Sequence, residues 1–260
     1  MSVVVVVIVF VATRAWAVAS PQRRLLGAAL VPRDVLCDDS CIFEPQRIFD
    51  FGGRQLVLAQ EFESKAGTGM GVWECSEVLS QLIARRPEVV SHKRVLEVGC
   101  GCGLASMVSA MSGGRVTASD GDDEVLQLAR RNFDANGLSI ETRRLRWEEA
   151  TAMAAAKFEV VLGADVTYFP GSALPLANVM LASAAPVAYL AHKRRTAQDD
   201  ETLATLARYF EPHLLEVVDR SVSVFRYDRR PRAPPDLADV LGTVQCNDGY
   251  RRVGSFCSLL

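Results

Sequence analysis

The sequence predicts an α/β fold: a doubly wound, mostly parallel sheet of seven strands, with an N-terminal β-hairpin and a closing antiparallel strand pair. Three observations predict it. Strand-like and helix-like segments alternate from residue 95 to residue 210, a glycine-rich turn follows the first of these strands, and the last two strands have no helix between them. Such alternation implies parallel strands joined by right-handed crossovers. Ligands of these sheets bind at the carboxyl ends of the strands.

Local patterns place each element in order. Two β-rich runs, 47–51 and 54–60, flank Gly52 and Gly53 and predict the hairpin. Residues 65–71, with three glycines, are predicted as a loop. The predicted strands of the sheet are 95–98, 115–120, 140–147, 158–164, 187–191, 214–218 and 221–227. The predicted helices, which carry apolar faces, are 72–86, 104–111, 122–136 (with Gly137 as its C-cap), 174–184 and 198–210.

Composition limits the classes of function. A chain of 260 residues suits one large domain with extensions. A net charge of −2 gives no general affinity for nucleic acid, so a nucleic-acid partner is not expected. The seven cysteines include no paired CxxC with histidine partners, so no metal site is predicted. Two basic clusters, 192–195 and 229–232, are interpreted as solvated surface.

The N-terminus differs from the rest of the chain. Residues 3–12 are an unbroken apolar run, too short to span a bilayer, which takes about 20 residues. A secretory signal has an apolar region of this length and small residues after it, but no Lys or Arg precedes this one. A buried strand or a wrongly chosen start codon would also explain it. Membrane association is therefore considered only through residues 3–12. The predicted organisation is a hydrophobic segment at 1–20, a linker at 21–44, the main domain at 45–230 and a tail at 231–260.

The spacing of the glycine turn and two acids indicate its ligand. Gly99, Gly101 and Gly103 form G-x-G-x-G, one residue short of the dinucleotide fingerprint. Glu97 would repel a pyrophosphate but attract a cation. Asp120 ends the second strand, where an acid commonly accepts hydrogen bonds from ribose hydroxyls. A ligand with a ribose, a positive centre and no phosphate is S-adenosylmethionine; the alternative is a tight turn beside a solvated acid.

From Arg47 to about Arg230 the chain resembles the class I, seven-β-strand S-adenosylmethionine-dependent methyltransferases with a Rossmann-like fold. It is most similar to methyltransferase family 16, which contains non-histone protein-lysine methyltransferases. Beyond the glycine turn, the matching segments are the hairpin ending at Gln60, Gly71–Glu74 around Trp73, Ser119–Asp122, and Gly163–Tyr168 with its D-x-x-Y motif. The resemblance implies a cytoplasmic enzyme.

The resemblance also implies roles for the matched positions. Those that would contact the cofactor are Trp73, Glu97, Gly99, Cys100, Gly101, Gly103, Asp120, Trp147 and Ala164. Asp165 and Tyr168 would line the methyl-transfer site, with Asp165 holding the incoming ammonium. Arg146 departs from the family pattern, in which an acid or a small residue often precedes the tryptophan. From the residues alone, Asp165 could instead be a helix N-cap, and Tyr168 and Trp73 could be packed aromatics.

The sequence thus predicts a protein-lysine N-methyltransferase that acts on a non-histone protein. Two other classes stay open. A methyltransferase for nucleic acid or a small molecule is disfavoured because the Asn-Pro-Pro-Tyr type of motif is absent after residue 162. A non-catalytic module that binds the cofactor or a partner is disfavoured because Glu97, Asp120 and Asp165 are all present.

Overall fold

The computed structural model describes part of the chain in detail. The described residues are 29–30, 43–64, 67–148, 150, 157–168, 171–195, 197–218, 221–235, 237, 250–253 and 256–259. The segment considered for membrane association, residues 3–12, lies outside them. Within the described residues, no helix has both the length and the apolar character needed to cross a membrane.

An eight-stranded sheet forms the centre of the fold. The strands described are β1 (Ala29–Leu30), β2 (Gln46–Phe51), β3 (Arg54–Ala59), β4 (Arg94–Val98), β5 (Arg115–Asp120), β6 (Glu141–Arg144), β7 (Val160–Ala164), β8 (Val187–Lys193), β9 (Phe210–Val218), β10 (Val222–Arg229), β11 (Tyr250–Val253) and β12 (Phe256–Leu259). The order in the sheet is β1-β9-β10-β8-β7-β4-β5-β6. Strand β10 is antiparallel to β8 and β9, and the other neighbouring pairs are parallel. The predicted fold class is confirmed, and β1, within the predicted linker, adds an edge strand.

The helices cover both faces of this sheet. They are α1 (Glu74–Arg85), α2 (Leu104–Met111), α3 (Asp123–Ala135), α4 (Ala173–Ala182) and α5 (Ala197–Leu206). Alternate strand residues enter two separate cores: Val95 and Val160 join the core with α1, α2 and α3, whereas Leu96 and Val161 join the core with α4. Burial on both faces explains why these strands are continuous apolar runs.

Some predicted boundaries are wrong. The third strand of the predicted sheet ends at Arg144 rather than residue 147, because the chain then turns and Trp147 faces a cavity. The first helix begins at Glu74 rather than residue 72, since Trp73 has an extended backbone. The predicted helix 198–210 stops at Leu206, and Phe210 already belongs to β9. The predicted domain limits at residues 45 and 230 stay predictions.

The predicted end of α3 is confirmed. Gly137 has a φ of +64°, which is the left-handed conformation that favours glycine. Its N–H donates to the carbonyl of Asp134 at 3.0 Å, and the N–H of Leu138 donates to the carbonyl of Phe133 at 2.9 Å. This pair of bonds is a Schellman motif, which satisfies carbonyls that the helix end would otherwise leave open.

The hairpin of β2 and β3 is fixed to α3 by two side-chain amides. Asn136 accepts a hydrogen bond from the Val57 N–H at 2.9 Å and donates to the Val57 carbonyl at 2.8 Å. Asn132 does the same for Ala59, at 2.9 and 3.2 Å. The amides therefore satisfy the backbone groups that an additional strand would otherwise bind.

The hairpin also holds the segment that leads into α1. The N–H of Val72 donates to Oε1 of Gln60 at 2.6 Å, and the carbonyl of Val72 accepts from Nη1 of Arg47 at 3.0 Å. Arg47 also forms a buried ion pair with Glu77 of α1, with Nη2 and Oε1 2.6 Å apart. These contacts fix the backbone immediately before Trp73.

We predict that Arg47→Met lowers the free energy of unfolding by about 3–5 kcal/mol, because the Glu77 carboxylate would stay buried without its cation. Urea denaturation measures this change. The matched control is Arg131→Met, which removes an exposed pair with Glu61 of the same 2.6 Å length and should cost less than about 1 kcal/mol. Equal losses in the two variants would contradict the prediction.

Candidate active site

A cavity of about 920 Å³ opens at the carboxyl ends of β4, β5 and β7. These strands meet where the chain order reverses on either side of β4, which is where open α/β sheets bind ligands. The predicted site residues that line the cavity are Trp73, Gly99, Gly101, Asp120, Trp147, Ala164, Asp165 and Tyr168. The other three, Glu97, Cys100 and Gly103, line an adjoining cavity of about 30 Å³ that shares Trp73, Ala164 and three glycines with the first.

The glycine turn brings bare backbone to the wall of the cavity. Gly99 has a φ of +63°, and a Cβ there would lie 2.9 Å from Cγ1 of Val166. Gly103 has a φ of +90°, and a Cβ there would collide with the ring of Phe133. Both positions therefore require glycine for conformation and for space. The thiol of Cys100 is buried beneath the turn, and burial raises its pKa well above the usual value.

Asp120 presents a carboxylate to the cavity at the end of β5. Its Oδ2 accepts the N–H of Gly101 at 3.3 Å, and its Oδ1 accepts the N–H of Asp122 at 3.2 Å. Burial raises the pKa of Asp120 to about 6, more than these backbone hydrogen bonds lower it. A half-buried carboxylate with remaining lone pairs suits hydroxyl donors.

Glu97 lies beneath the glycine turn and is only 1% exposed, so the alternative of a solvated acid is wrong. Its carboxylate accepts a hydrogen bond from the hydroxyl of Ser106 in α2. Burial raises the pKa of Glu97 to about 8, with the nearby Asp120 adding a smaller contribution. A buried acid of this kind is stabilised in its ionised form by a nearby positive charge.

Asp165 lies at the end of β7 in a strained conformation, with a φ of +55°. Its N–H donates to the carbonyl of Ala191 in β8 at 3.0 Å. Both carboxylate oxygens accept from the guanidinium of Arg195, at 2.7 and 2.6 Å. The alternative of a helix N-cap is wrong, because α4 begins at Ala173 with Ser172 at its N-cap.

Tyr168 and Trp73, which both line the cavity, each form a hydrogen bond with Thr68. The Tyr168 hydroxyl hydrogen-bonds to Oγ1 of Thr68 at 2.8 Å, and Nε1 of Trp73 donates to the carbonyl of Thr68 at 2.7 Å. Thr68 lies in a 3₁₀ turn, Gly67–Met70, within the predicted loop. Tyr168 is 44% exposed, so it is not a packed aromatic.

Sequence reasoning missed Thr68 and Arg195. Thr68 belonged to a loop with no distinctive signal other than its glycines. Arg195 was included in a basic cluster interpreted as solvated surface, but it lines the cavity and binds Asp165. Its position just after β8, the neighbour of β7, was the available signal, because carboxyl ends of adjacent parallel strands meet. In the same cluster His192 is buried, so that interpretation is wrong there.

The rest of the cavity wall includes an aromatic ring and two arginines. The carbonyl of Trp147 accepts a hydrogen bond from Nδ2 of Asn178 at 3.0 Å. Arg146 and Arg144 also line the cavity, and Arg144 lies 3.3 Å from a carboxylate oxygen of Asp123. Among the described residues, no group of three or more His, Cys, Asp or Glu side chains is placed to hold a metal ion.

A family described as lysine methyltransferase matches residues 52–209. The chain belongs to this family. The methyltransferase is 27% identical over 214 residues to EEF1A lysine methyltransferase 3 of Mus musculus, covering 79% of this chain and 91% of that protein. It is also 27% identical to protein N-lysine methyltransferase METTL21A of Danio rerio, covering 70% of this chain and 87% of that protein. A match to protein-lysine N-methyltransferase EFM3 of Chaetomium thermophilum is 35% identical but spans 38% of that protein.

A solved structure supports the fold. The T. thermophilus 16S rRNA N2 G1207 methyltransferase, in complex with AdoMet and guanosine, superposes with a TM-score of 0.56. It is 22% identical, and the match covers 72% of this chain and 51% of that one, so the likeness concerns the fold alone.

The predicted family and cofactor are confirmed: this is an S-adenosylmethionine-dependent enzyme of the lysine methyltransferase family. The cavity fits the cofactor. Gly99 and Gly101 present backbone without a side chain to the cavity, Asp120 suits ribose hydroxyls, and the buried acid Glu97 suits a cation. The contacts assigned to individual residues stay predictions.

We predict that Asp120→Asn weakens S-adenosylmethionine binding roughly 10- to 100-fold at pH 8, because charge-assisted hydrogen bonds contribute roughly 1.5–3 kcal/mol each. Titration calorimetry measures the affinity. Since the pKa of Asp120 is about 6, the difference between wild type and variant should shrink as the pH falls through 6. Asp134→Asn, an exposed acid on α3, is the control. A pH-independent difference would contradict the proposed ionised contact.

We predict that Glu97→Gln stabilises the protein without ligand increasingly as the pH rises. The folded pKa of about 8 lies above the unfolded value, so between about pH 4.5 and 8 the unfolded chain loses this proton first and the wild type loses stability. The stability difference should level off above about pH 8. Chemical denaturation from pH 5 to 9 tests this, and a constant difference over that range would refute it.

Proposed function

We propose that this methyltransferase methylates the ε-amine of a lysine on a non-histone protein, with Asp165 and Tyr168 lining the acceptor site. The observation that carries the proposal is that the D-x-x-Y pair and Trp73 share one cavity with the glycine turn. Family membership supports a lysine acceptor, and the names of the relatives EEF1A lysine methyltransferase 3 and METTL21A support a protein that presents it.

The cofactor supplies an electrophilic methyl group: the amine lone pair forms the N–C bond as the S–C bond breaks, leaving a neutral thioether and a methylammonium that releases a proton. A free lysine has a pKa near 10.4, so the acceptor must be deprotonated before attack. A cavity wall with aromatic rings lowers the pKa of an amine by removing it from water.

We assign Asp165 and Tyr168 to orientation of the acceptor rather than to strong general-base catalysis. Both Asp165 oxygens already accept hydrogen bonds from the guanidinium of Arg195, so the protein itself fixes the orientation of this carboxylate. The described residues that line the cavity include no histidine. Alignment of reacting groups can supply much of the barrier reduction for a direct displacement.

Lysine and arginine side chains in the two basic clusters, 192–195 and 229–232, contact acceptor groups of the protein itself, which favours a protein acceptor over nucleic acid. Lys193 pairs with Glu74 at 2.7 Å, and Arg194 pairs with Asp200 at 2.6 Å. In the second cluster, Arg229 donates to the carbonyls of Leu181 and Pro234, and Arg230 donates to that of Ala207. These arginines and lysines satisfy the protein's own acceptors, whereas phosphate binding needs a free basic face.

We predict that Asp165→Ala loses at least about 100-fold in methyl transfer while cofactor affinity changes by less than about threefold, because misplaced acceptors lose alignment. The assay uses tritiated S-adenosylmethionine and an extract from cells that lack the enzyme. Labelled protein should disappear with the variant and yield methyllysine on hydrolysis. Purified elongation factor 1A is the first single protein to test, given the name of the mouse relative.

The matched control is Asp200→Ala, which removes an exposed acid whose partner is Arg194. It should label protein at the wild-type rate. Label confined to RNA or small molecules would overturn the protein-lysine proposal, and so would methylarginine in the hydrolysate. Cofactor binding with no labelled product in any fraction would indicate a binding module instead.

A further inference from the structure

The acceptor end of the cavity contains its own cation. Arg195 lies at the end of β8 and makes a two-point contact with Asp165, whose side chain is only 6% exposed. Such bidentate pairs fix both the position and the orientation of a carboxylate. An incoming amine therefore meets a carboxylate that is already held and already neutralised.

Arg195 is itself fixed by contacts that do not involve Asp165. Its Nη1 donates to the carbonyl of Lys193 at 3.3 Å, and its backbone N–H donates to Oδ2 of the buried Asp199 at 2.7 Å. The Arg195 side chain nevertheless keeps 36% exposure, and Arg195 lines the cavity. The arginine is thus part of the wall of the acceptor site and not a surface charge that folds over it.

Most of the other ionisable groups around Asp165 are neutral or paired with each other, and the buried acid Asp199 accepts the backbone N–H of Arg195. Burial raises the pKa of the Cys75 thiol well above its usual value and lowers the pKa of His192, so both favour their neutral forms. The ionisable groups that surround the Asp165–Arg195 pair are Cys75 and Glu74 on α1, His192, Lys193 and Arg194 on or after β8, Asp199 and Asp200 on α5, and Tyr168 beside it. Glu74 pairs with Lys193, and Asp200 pairs with Arg194. Arg195 is therefore the cation that directly compensates Asp165.

This compensation matters for the acceptor. A carboxylate without a cation would attract the ammonium form of lysine and raise its pKa, which opposes the loss of the proton that the reaction needs. A carboxylate that is neutralised by a guanidinium can still accept one N–H from the amine, because each oxygen has a second lone pair. It does so without stabilising the charged form to the same degree.

We propose that Arg195 is a positioning residue of the acceptor site, which fixes the Asp165 carboxylate and compensates its charge so that the substrate lysine is held as a neutral amine. The proposal rests on the lysine acceptor proposed above. It assigns Arg195 an action through Asp165, and it predicts that removal of the guanidinium changes the pH at which the bound amine becomes reactive.

The test is the pH profile of single-turnover tritium transfer to the principal labelled protein of the extract, from pH 6.5 to 10 with saturating S-adenosylmethionine. Arg195→Gln and Arg195→Met should shift the acid limb of the profile, where the rate rises with pH, to a pH about one unit higher. One unit is the low end of the pKa shift that a neighbouring charge usually causes. They should be at least about tenfold slower than wild type at pH 7 and approach it at pH 10. Arg195→Lys keeps the charge and should keep the wild-type limb.

Arg194→Gln, whose partner is Asp200, is the matched control and should reproduce the wild-type profile. Cofactor affinity and melting temperature identify any variant that fails to fold. Arg195→Gln and Arg195→Met, the two neutral variants, must show the same shift in the pH profile. If both neutral variants lose the same factor in rate at every pH, the role of Arg195 is structural alone and the proposal is overturned. The proposal is also overturned if neither variant loses rate at any pH. If wild type labels no protein at any pH, the proposed function itself fails.

Discussion

The position of the site follows from one topological constraint, the reversal of chain order around β4. Strand β4 pairs with β5 on one side and with β7 on the other, and all three run in the same direction. The crossovers from these strands leave toward opposite sides of the sheet, so neither covers the carboxyl end of β4. The glycine turn, the acid that ends β5 and the D-x-x-Y motif after β7 consequently face one cavity, although they are far apart in sequence.

One wall of the cavity does not come from the strand ends of the sheet. It is built by the segment before α1, whose backbone is held by polar contacts with the hairpin and whose 3₁₀ turn reaches Tyr168 through Thr68. Hydrogen bonds of this kind are individually modest, but each one that involves a buried group is costly to break. The shape of the cavity near Tyr168 therefore depends on an element that is distant from it in sequence.

Most of the fold and the glycine turn could be predicted from the sequence, because their signals lie in short contiguous segments. The glycine turn, Gly137 and the alternation of elements each reflect a local backbone requirement, so one sequence suffices to recognise them. The partners of Asp165 and Tyr168 could not be found in that way. Arg195 and Thr68 reach them only because of the register of β8 against β7 and the fold of the 67–70 turn, neither of which is encoded by local spacing.

The boundary errors have a similar physical origin. Apolar and aromatic residues at 145–147 continue the strand pattern, but Trp147 is diverted to the cavity wall, so β6 ends earlier than its sequence indicates. Val72 fits the apolar period of α1, yet its N–H and carbonyl bind the hairpin and cannot join a helix. In both places tertiary contacts override a local preference.

The three acids at the carboxyl edge of the sheet divide the cavity into two electrostatic regions. Glu97 and Asp120 lie beside the glycine turn, at the proposed cofactor end, where burial raises their pKa values, so a cation or hydroxyl donors would stabilise their ionised forms. Asp165, at the proposed acceptor end, already has a guanidinium bound to both oxygens. The effect of an acidic side chain in this cavity therefore depends on whether the protein already supplies it with a cation. Uncompensated acids favour a cationic ligand, and a compensated acid can orient an amine without strongly favouring its charged form.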